Sequence, residues 1–398
     1  MKYCVPLILL LLFSCTTKKN HEDQRFKYLG QETPDTIPRV FGEGIISVKG
    51  RFDMGLTISP DGKSIAFGVA HESDPEETCI YLINYVDGKW SSQDKSFLPE
   101  NSNTFFPMFG PTGKELYFAK SVNNSETDLW VAQFLDNKAI NPKSLDSIIN
   151  SKSREAGHGK AKSGSLYFTS NRDDQNQCCG DIYFSQLNSD GYSSIQKLDE
   201  LNSSSDEESL FLSPNEDYII IQAWKNEFES KHDLYISYQT KEGSWTIPER
   251  LNTNINGKEI EQRPFVSPDN RFLFFSRMHI TQEKGKDIYD SDIYWVSTKS
   301  IFKPYAYNTK IEATVKYNKK FEINFPHDLF KDIDDSKLLY EVSMENDSEL
   351  QEWIKFDSSS LALNGVWKSK VPLTIKVTGT DSSGNSGAFK IKLGEKDN

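Results

Sequence analysis

The stretch that decides the fold is Ile58–Phe67, which reads Ile-Ser-Pro-Asp-Gly-Lys-Ser-Ile-Ala-Phe. Pro presets φ at the second turn position, Asp caps the turn and Gly accepts a positive φ, so this stretch predicts a β-hairpin. Related stretches follow at Phe109–Phe118, Lys162–Phe168, Leu212–Ile221 and Val266–Phe275. The third copy lacks the Pro-Asp turn. A hairpin that recurs roughly every 50 residues is typical of a repeat architecture.

Each hairpin is followed by a polar loop and a third predicted strand. These third strands are Thr78–Leu82, Asp128–Val131, Asp181–Phe184, Asp233–Ile236 and Asp292–Trp295. A weaker fourth strand follows, most clearly within Asp87–Trp90 and Glu242–Asn252. Four strands per unit predict an all-β fold with a five-bladed β-propeller over residues 40–305, and six blades are the alternative. We expect Gly44–Val48 to complete the last blade and remove its exposed edge.

The hairpin and the Asp-Ile-Tyr strand together resemble the WD40-like (PD40) propeller repeats of the TolB type. The best matches are Ile58–Phe67, Phe109–Phe118 with Asp128–Val131, and Phe265–Phe275 with Asp292–Val296. The resemblance implies a propeller of the kind found in many secreted bacterial proteins. It says little about the ligand, because unrelated functions share one fold.

Residues 306–398 have a different pattern, with fewer aromatic residues and no further Ser-Pro-Asp-Gly turn. The predicted strands are Ile311–Tyr317, Lys320–Phe325, Leu338–Met344, Ile354–Phe356, Leu361–Trp367, Leu373–Thr380 and Ala388–Leu393. Short alternating strands at this spacing predict an immunoglobulin-like β-sandwich. Leu339–Ser343, Trp353–Asp357 and Val377–Asn385 resemble cadherin-like and putative-Ig modules of bacterial surface proteins.

The N-terminus reads as a targeting segment. An apolar run, Val5–Phe13, leads into Ser14-Cys15, which resembles the lipobox of bacterial lipoproteins. The resemblance implies a signal peptide at 1–14 and a lipid on Cys15, and the polar residues 15–39 predict a flexible tether. We therefore expect a lipid-anchored protein of the cell envelope, in the outer membrane and facing the periplasm or the exterior. An ordinary secretory signal is the alternative.

Charge and cysteine content exclude several classes of partner and site. The net charge of −12 argues against a nucleic-acid partner, which would require a basic surface. Cys79, Cys178 and Cys179 have neither the pairing of a disulfide framework nor the spacing of a zinc site. The adjacent Cys178 and Cys179 could form a vicinal disulfide in an oxidising compartment.

The candidate binding face carries the long loops, on the rim opposite the Ser-Pro-Asp-Gly turns. These loops are His71–Thr78, Ser121–Thr127, Asn171–Gly180, Trp224–His232 and Met278–Ser291. We expect the starts of the innermost strands to bring polar side chains to the mouth of the central channel: Asn103, Arg154, Glu155, His158, Glu207, Glu208, Gln262 and Arg263. The predicted binding residues are Arg154, Glu155, His158, Arg172, Glu208 and Arg263. In the alternative, these charges pair and hold neighbouring blades together.

The sequence favours a non-enzymatic scaffold that binds a protein, a peptide or a glycan. The alternative is a carbohydrate-active enzyme, a glycoside hydrolase or lyase, with Glu155, Glu208 and Glu261 at similar blade positions. No metal or cofactor is expected. A calcium ion at Asp357 and Asp381 is the alternative, although few oxygen ligands are visible there.

Overall fold

Strand is the dominant structure throughout the chain. The computed structural model describes residues 28–71, 74–95, 103–121, 126–173, 180–224, 232–283 and 286–395. In these ranges regular helix is limited to the 3-10 turns Tyr28–Gly30 and Thr298–Ser300. None of the described helices has the length and apolar character needed to cross a membrane. The predicted all-β fold class is confirmed.

Residues 39–297 form propeller-type sheets in which strands pair with their neighbours along the chain. Among the described residues the strands fall into five groups of four, and the first and fifth groups are joined into one eight-stranded sheet by a parallel pair between Phe52 and Ser291. The first contains β2 (Arg51–Ile58), β3 (Ser64–His71), β4 (Asp74–Val86) and β5 (Lys89–Trp90); the second contains β6 (Thr104–Phe109), β7 (Glu115–Ser121), β8 (Thr127–Leu135) and β9 (Lys138–Ser144). The third contains β10 (Glu155–Lys160), β11 (Leu166–Ser170), β12 (Asp181–Ser185) and β15 (Gln196–Lys197), beside a small hairpin of β13 (Leu187–Asn188) and β14 (Gly191–Tyr192). The fourth contains β16 (Asp206–Leu212), β17 (Tyr218–Trp224), β18 (Asp233–Tyr238) and β19 (Glu249–Arg250); the fifth contains β20 (Ile260–Val266), β21 (Phe272–Glu283), β22 (Lys286–Ser297) and β1 (Arg39–Val40).

The fifth group takes its outer strand from the N-terminal side of the chain. Arg39 and Val40 pair antiparallel with Trp295 and Tyr294 of β22. The closing strand is therefore Arg39–Val40, and the expectation that Gly44–Val48 supplies it was wrong. Gly44 has a φ of +76° and turns the chain, so that stretch cannot extend as a strand.

The described part of the predicted tether packs against this closing strand's sheet. Tyr28 is buried, its ring lies 5.0 Å from that of Phe272, and its hydroxyl donates to Asp269 at 2.7 Å. From residue 28 onward the stretch is therefore ordered against β21, contrary to the flexible tether expected up to residue 39. The polar composition of residues 15–39 did not predict this packing, which depends on the buried aromatic ring of Tyr28.

The hairpin turns form as their residues predict. In the first turn Ser59 Oγ donates to Asp61 Oδ1 at 2.6 Å, and Gly62 has a φ of +73°. The turn Ser267–Asn270 repeats both features, with Asn270 at a φ of +57°. These turns end the innermost strands β2, β6, β10, β16 and β20. They consequently lie at the opposite end of the channel from the starts of those strands.

The predicted loop Met278–Ser291 is mostly strand. β21 and β22 stay paired from Phe272↔Ser297 to Glu283↔Lys286, so they form one long hairpin. Ile280 and Tyr289 pair directly across this extension. Both arms contain residues of high strand propensity, Ile280 and Thr281 on one and Ile288 and Tyr289 on the other, and their cross-strand pairing outweighs the polar composition that suggested a loop.

The C-terminal region packs two three-stranded sheets around a shared apolar core that includes Trp367, Val377 and Leu363. The strands are β23 (Tyr305–Ala306), β24 (Lys320–Asn324), β25 (Phe330–Lys331), β26 (Leu339–Met344), β27 (Ile354–Asp357), β28 (Ala362–Val366), β29 (Leu373–Thr380) and β30 (Ser386–Leu393). The sheets are β24-β28-β27 and β26-β29-β30, and β23 pairs with β25. Ile311–Tyr317, predicted as a strand, contributes one bridge, from Thr314 to Gly394.

Candidate functional site

Each innermost strand begins with a buried polar side chain at an equivalent position. Six residues before the first residue of each turn stand Asp53, Thr104, Glu155, Glu207 and Glu261, and all five are fully buried. A β-bulge or register shift begins at this residue or at the next one in every one of these strands. Glu207, not Glu208, is therefore equivalent to Glu155 and Glu261, which corrects the expected set of similarly placed carboxylates.

Glu155 forms hydrogen bonds with the loop that leads into its own blade, at Ser151. Its carboxylate accepts hydrogen bonds from Ser151 N at 2.9 Å, Ser151 Oγ at 2.6 Å and Ser170 Oγ at 2.8 Å. Arg172 Nη2 forms an ion pair with it at 3.0 Å, and the same guanidinium stacks over Phe168 and Tyr183. Glu155 and Arg172, both predicted as binding residues, thus form a structural network, and Glu155 does not reach the mouth where the sequence placed it.

Asp53 and Glu261 also bind the backbone of the segment that enters their blades, and each pairs with an arginine. Arg51 Nε donates to Asp53 at 2.9 Å, and Arg277 Nε donates to Glu261 at 2.8 Å. Burial raises the pKa of each carboxyl group to about 7, although the neighbouring guanidinium opposes the rise. The folded chain therefore holds a proton on these groups more readily than the unfolded chain does.

This shift predicts a stability that falls as pH rises. A carboxyl group whose folded pKa is raised stabilises the fold fully below the unfolded pKa, and this contribution is lost as pH rises through the folded value near 7. Relative to Glu261→Gln, the wild-type free energy of unfolding should drop by about 1–3 kcal/mol between pH 5 and pH 8. Urea unfolding at both pH values measures the difference. The pairwise comparison cancels His158, whose lowered pKa acts in the opposite direction; parallel profiles for the two proteins would contradict the prediction.

An asparagine that joins two neighbouring blades precedes three of the buried glutamates, and the sequence analysis did not predict it. Asn150, Asn202 and Asn256 each accept from a backbone N–H and donate to the C=O of the same residue on the preceding blade's third strand. The residues they bind are Leu129, Ile182 and Leu234. The signal was a fixed spacing of five residues between each Asn and the following Glu.

The channel mouth itself holds an exposed ion pair. Arg154 Nη2 lies 3.2 Å from Glu208 Oε1, and the two side chains are 32% and 24% exposed. Gln222 Nε2 donates to the other Glu208 oxygen at 2.8 Å, and the charge of Arg263 also acts on Glu208. Despite the opposing effect of burial, these neighbours lower the pKa of Glu208. Of the predicted binding residues, Arg154, Glu208 and Arg263 are brought together here.

Asp206, His232 and Trp224 also lie at the mouth and were not predicted as site residues. Asp206, Glu208 and His232 offer donor atoms within 4.8 Å of one another, which is the one described group of this kind with metal-ligand chemistry. Glu208 is already paired with Arg154, and Asp206 accepts from Gly180 N at 2.7 Å, so these acids have protein partners. Trp224, 40% exposed, ends β17 with its ring 6.1 Å from that of His232.

Below the mouth the channel is nearly closed. A Cβ on Gly157 would lie 2.4 Å from Ser209 Cα, and one on Gly159 would lie 2.5 Å from Leu212 Cβ, so β10 and β16 approach closely. His158 is 2% exposed and donates through Nδ1 to the Ala156 carbonyl at 3.0 Å, so it is an internal residue and not a mouth residue. The cavity between the five innermost strands has a volume of only about 30 Å³, so a ligand larger than a small ion or a water molecule is limited to the mouth.

Several predicted features lie outside the described residues. These are Cys15, Cys178 and Cys179, together with parts of the loops between the second and third strands. Asp357 and Asp381, the alternative calcium ligands, both accept turn hydrogen bonds: Asp357 from Ser359, and Asp381 from Ser383 and Asn385. Each carboxylate thus caps its own turn in the C-terminal region.

Comparisons with known proteins give likenesses at low identity. No family model matches the sequence, and the search of curated proteins found no match. Among solved structures, the chain is similar to TolB from Acinetobacter baumannii, with 16% identity over 62% of this chain and 55% of that protein, at a TM-score of 0.37. It is also similar to a putative TolB from Agrobacterium tumefaciens, with 14% identity over 67% of this chain and 99% of the other, at a TM-score of 0.41. The chain is similar, too, to an alpha-L-arabinofuranosidase from Lactobacillus brevis, with 8% identity over 63% of this chain and 93% of the other, at a TM-score of 0.42. The fold assignment therefore rests on the strand pairing described above.

Proposed function

We propose that this chain is a non-enzymatic binding module that holds a polypeptide partner at the mouth of its propeller channel. The observation that carries the proposal is the Arg154–Glu208 ion pair, which is partly exposed at the entrance of a channel with about 30 Å³ of free volume. Because this volume is far too small for a peptide side chain, a polypeptide partner must be recognised by the surface of the mouth.

The chemistry of the mouth suits a polypeptide. The paired guanidinium and carboxylate offer donors and acceptors side by side, which matches the mixed hydrogen bonding of a peptide. Arg and Trp are also the residue types most enriched among the strongest contributors to protein interfaces. Trp224 and Arg154 bring both types to one rim.

The proposal places this module in the bacterial cell envelope. Cys15 would carry the lipid anchor, most simply in the outer membrane, and the five four-stranded groups would form a ring of five blades. The C-terminal sheets would be an immunoglobulin- or cadherin-like module that acts as a spacer. Its fixed position is supported by the stacked rings of Tyr238 and Tyr305, 4.3 Å apart, and by the ion pair of Lys241 with Asp328 at 2.7 Å.

Glycan cleavage is the second candidate, and the arrangement of the carboxylates favours it less. A glycosidase needs one carboxylic acid and one carboxylate that both reach the sugar. Glu155 and Glu261 are fully buried and paired with Arg172 and Arg277. Glu208 reaches the mouth, but its pKa is lowered, which is the opposite of what a general acid requires.

The test is capture of partners from a solubilised native envelope by the lipid-free chain. Wild type should retain a polypeptide that Arg154→Gln/Glu208→Gln retains about tenfold less, a loss typical of one interface contact. Lys162→Gln, on the turn face, is the matched control and should behave as wild type. Equal capture by all three proteins would contradict the proposal. So would hydrolysis of a glycan panel by wild type that is lost in Glu208→Gln.

A further inference from the structure

A small cavity lies inside the propeller channel, between the five innermost strands. Its volume is about 30 Å³, and its lining includes Met54, Phe106, His158, Leu210 and Arg263. This volume suits one small ion or water-sized group. The lining is apolar for the most part, so the polar atoms that face it determine what it can hold.

Arg263 is the charged residue of this lining. Its Nε and Nη1 atoms are buried and have no hydrogen-bond partner among the described residues. The guanidinium stacks over the Phe106 ring at 4.8 Å. The charge of Glu208 acts on it, but no hydrogen bond joins its Nε or Nη1 to a described carboxylate. Burial lowers its pKa to about 10, which still leaves it charged at neutral pH. A buried charge without a hydrogen-bonded partner is costly, so such groups in proteins are normally paired.

The position of the Arg263 side chain depends on three residues: Arg263 itself, Pro264 and Gly55. Arg263 has a φ of +55° and precedes Pro264, within the bulge of β20. The facing Gly55 has no side chain, and a Cβ there would lie 2.9 Å from Arg263 Cβ. Gly55 therefore leaves the space through which Arg263 enters the channel.

We propose that Arg263 binds a monovalent anion of chloride size in this cavity. The Nε–H and Nη1–H groups supply two donors, and the negative charge of the ion offsets that of the guanidinium. A cation is excluded by the same guanidinium. His158 would not compete for the anion, because its Nδ1–H is used by Ala156 O and its Nε2 is left as an acceptor. The inference does not depend on what the mouth binds.

The test compares thermal unfolding of the full chain in sodium chloride and in sodium gluconate at equal ionic strength and pH. Gluconate is too large for the cavity. An ion that binds the folded state alone should raise the Tm by about 2–4 °C over a hundredfold increase in chloride above its Kd. Arg263→Met should lose this dependence. Arg271→Met should keep it, because Arg271 also stacks on a phenylalanine but lies at a hairpin turn outside the channel.

Crystals soaked in bromide give a second readout that does not require a folded variant. We expect an anomalous peak within hydrogen-bond distance of Arg263 Nε and Nη1. Equal Tm in chloride and gluconate, with no bromide peak in the channel, would overturn the proposal. Stabilisation by formate but not by chloride would also overturn it, and would identify a carboxylate group as the ligand.

Discussion

Replacing Glu155 with leucine is expected to lower the free energy of unfolding by about 3–5 kcal/mol, the cost of leaving one member of a buried ion pair alone. Glu155 is fully buried, and Arg172, 16% exposed, would lose its carboxylate. Ser151 N and Ser170 Oγ would lose their acceptor as well. Urea unfolding followed by fluorescence measures the change.

Glu208→Leu is the matched control for this prediction. It also removes a glutamate from an arginine pair, but this pair lies at the partly exposed mouth. Its loss should cost about 1 kcal/mol, as for solvent-accessible pairs. Equal destabilisation by the two substitutions would contradict the assignment of Glu155 to the structural network and Glu208 to the mouth.

The second large effect is expected at the closing strand. Phe41 is fully buried, with its ring 4.9 Å from that of Phe274 and 5.1 Å from that of Trp295. Phe41→Ala should destabilise the chain by about 3–5 kcal/mol, because it removes a large core side chain and leaves a cavity. Thermal unfolding monitored by circular dichroism measures this as a lower Tm.

The control lies four residues earlier in the same segment. Ile37 is 69% exposed, and Ile37→Ala should change stability by no more than about 0.5 kcal/mol. If Phe41→Ala were as mild as Ile37→Ala, the N-terminal segment would not close the fifth sheet in solution.

The hairpins could be predicted from the sequence because their determinants are local. Pro60, Asp61 and Gly62 fix one turn within four residues, and the same chemistry recurs at Ser267–Asn270. The closing strand could not be predicted in the same way. Arg39–Val40 is two residues long and pairs with Tyr294 and Trp295, so nothing local marks it.

The candidate site was predicted only in part, because some of its residues lie at recognisable strand starts and others come together only through strand pairing. Arg154, Glu208 and Arg263 could be placed at strand starts, and they do meet. Glu207 stands six residues before its turn, as Glu155 and Glu261 do, so the prediction of Glu208 was one residue out of register. The irregularity that follows Glu207 leaves Glu208 beside Arg154 at the mouth, while Glu207 is buried. Asp206, Gln222 and His232 come from three separate elements, and their proximity depends on strand pairing that one sequence does not reveal.

The most direct test of the central claim, that the channel mouth binds a polypeptide, is site-specific photo-crosslinking in intact cells that express the full chain. Benzoylphenylalanine replaces Trp224 at the mouth or, as the control, Ile247, which is 83% exposed in the link before β19. We predict a covalent adduct with a polypeptide from position 224, with a yield about tenfold above that from position 247, because Ile247 precedes the outer strand β19 and lies away from the mouth. Equal yields at the two positions, or no adduct at position 224, would contradict the claim.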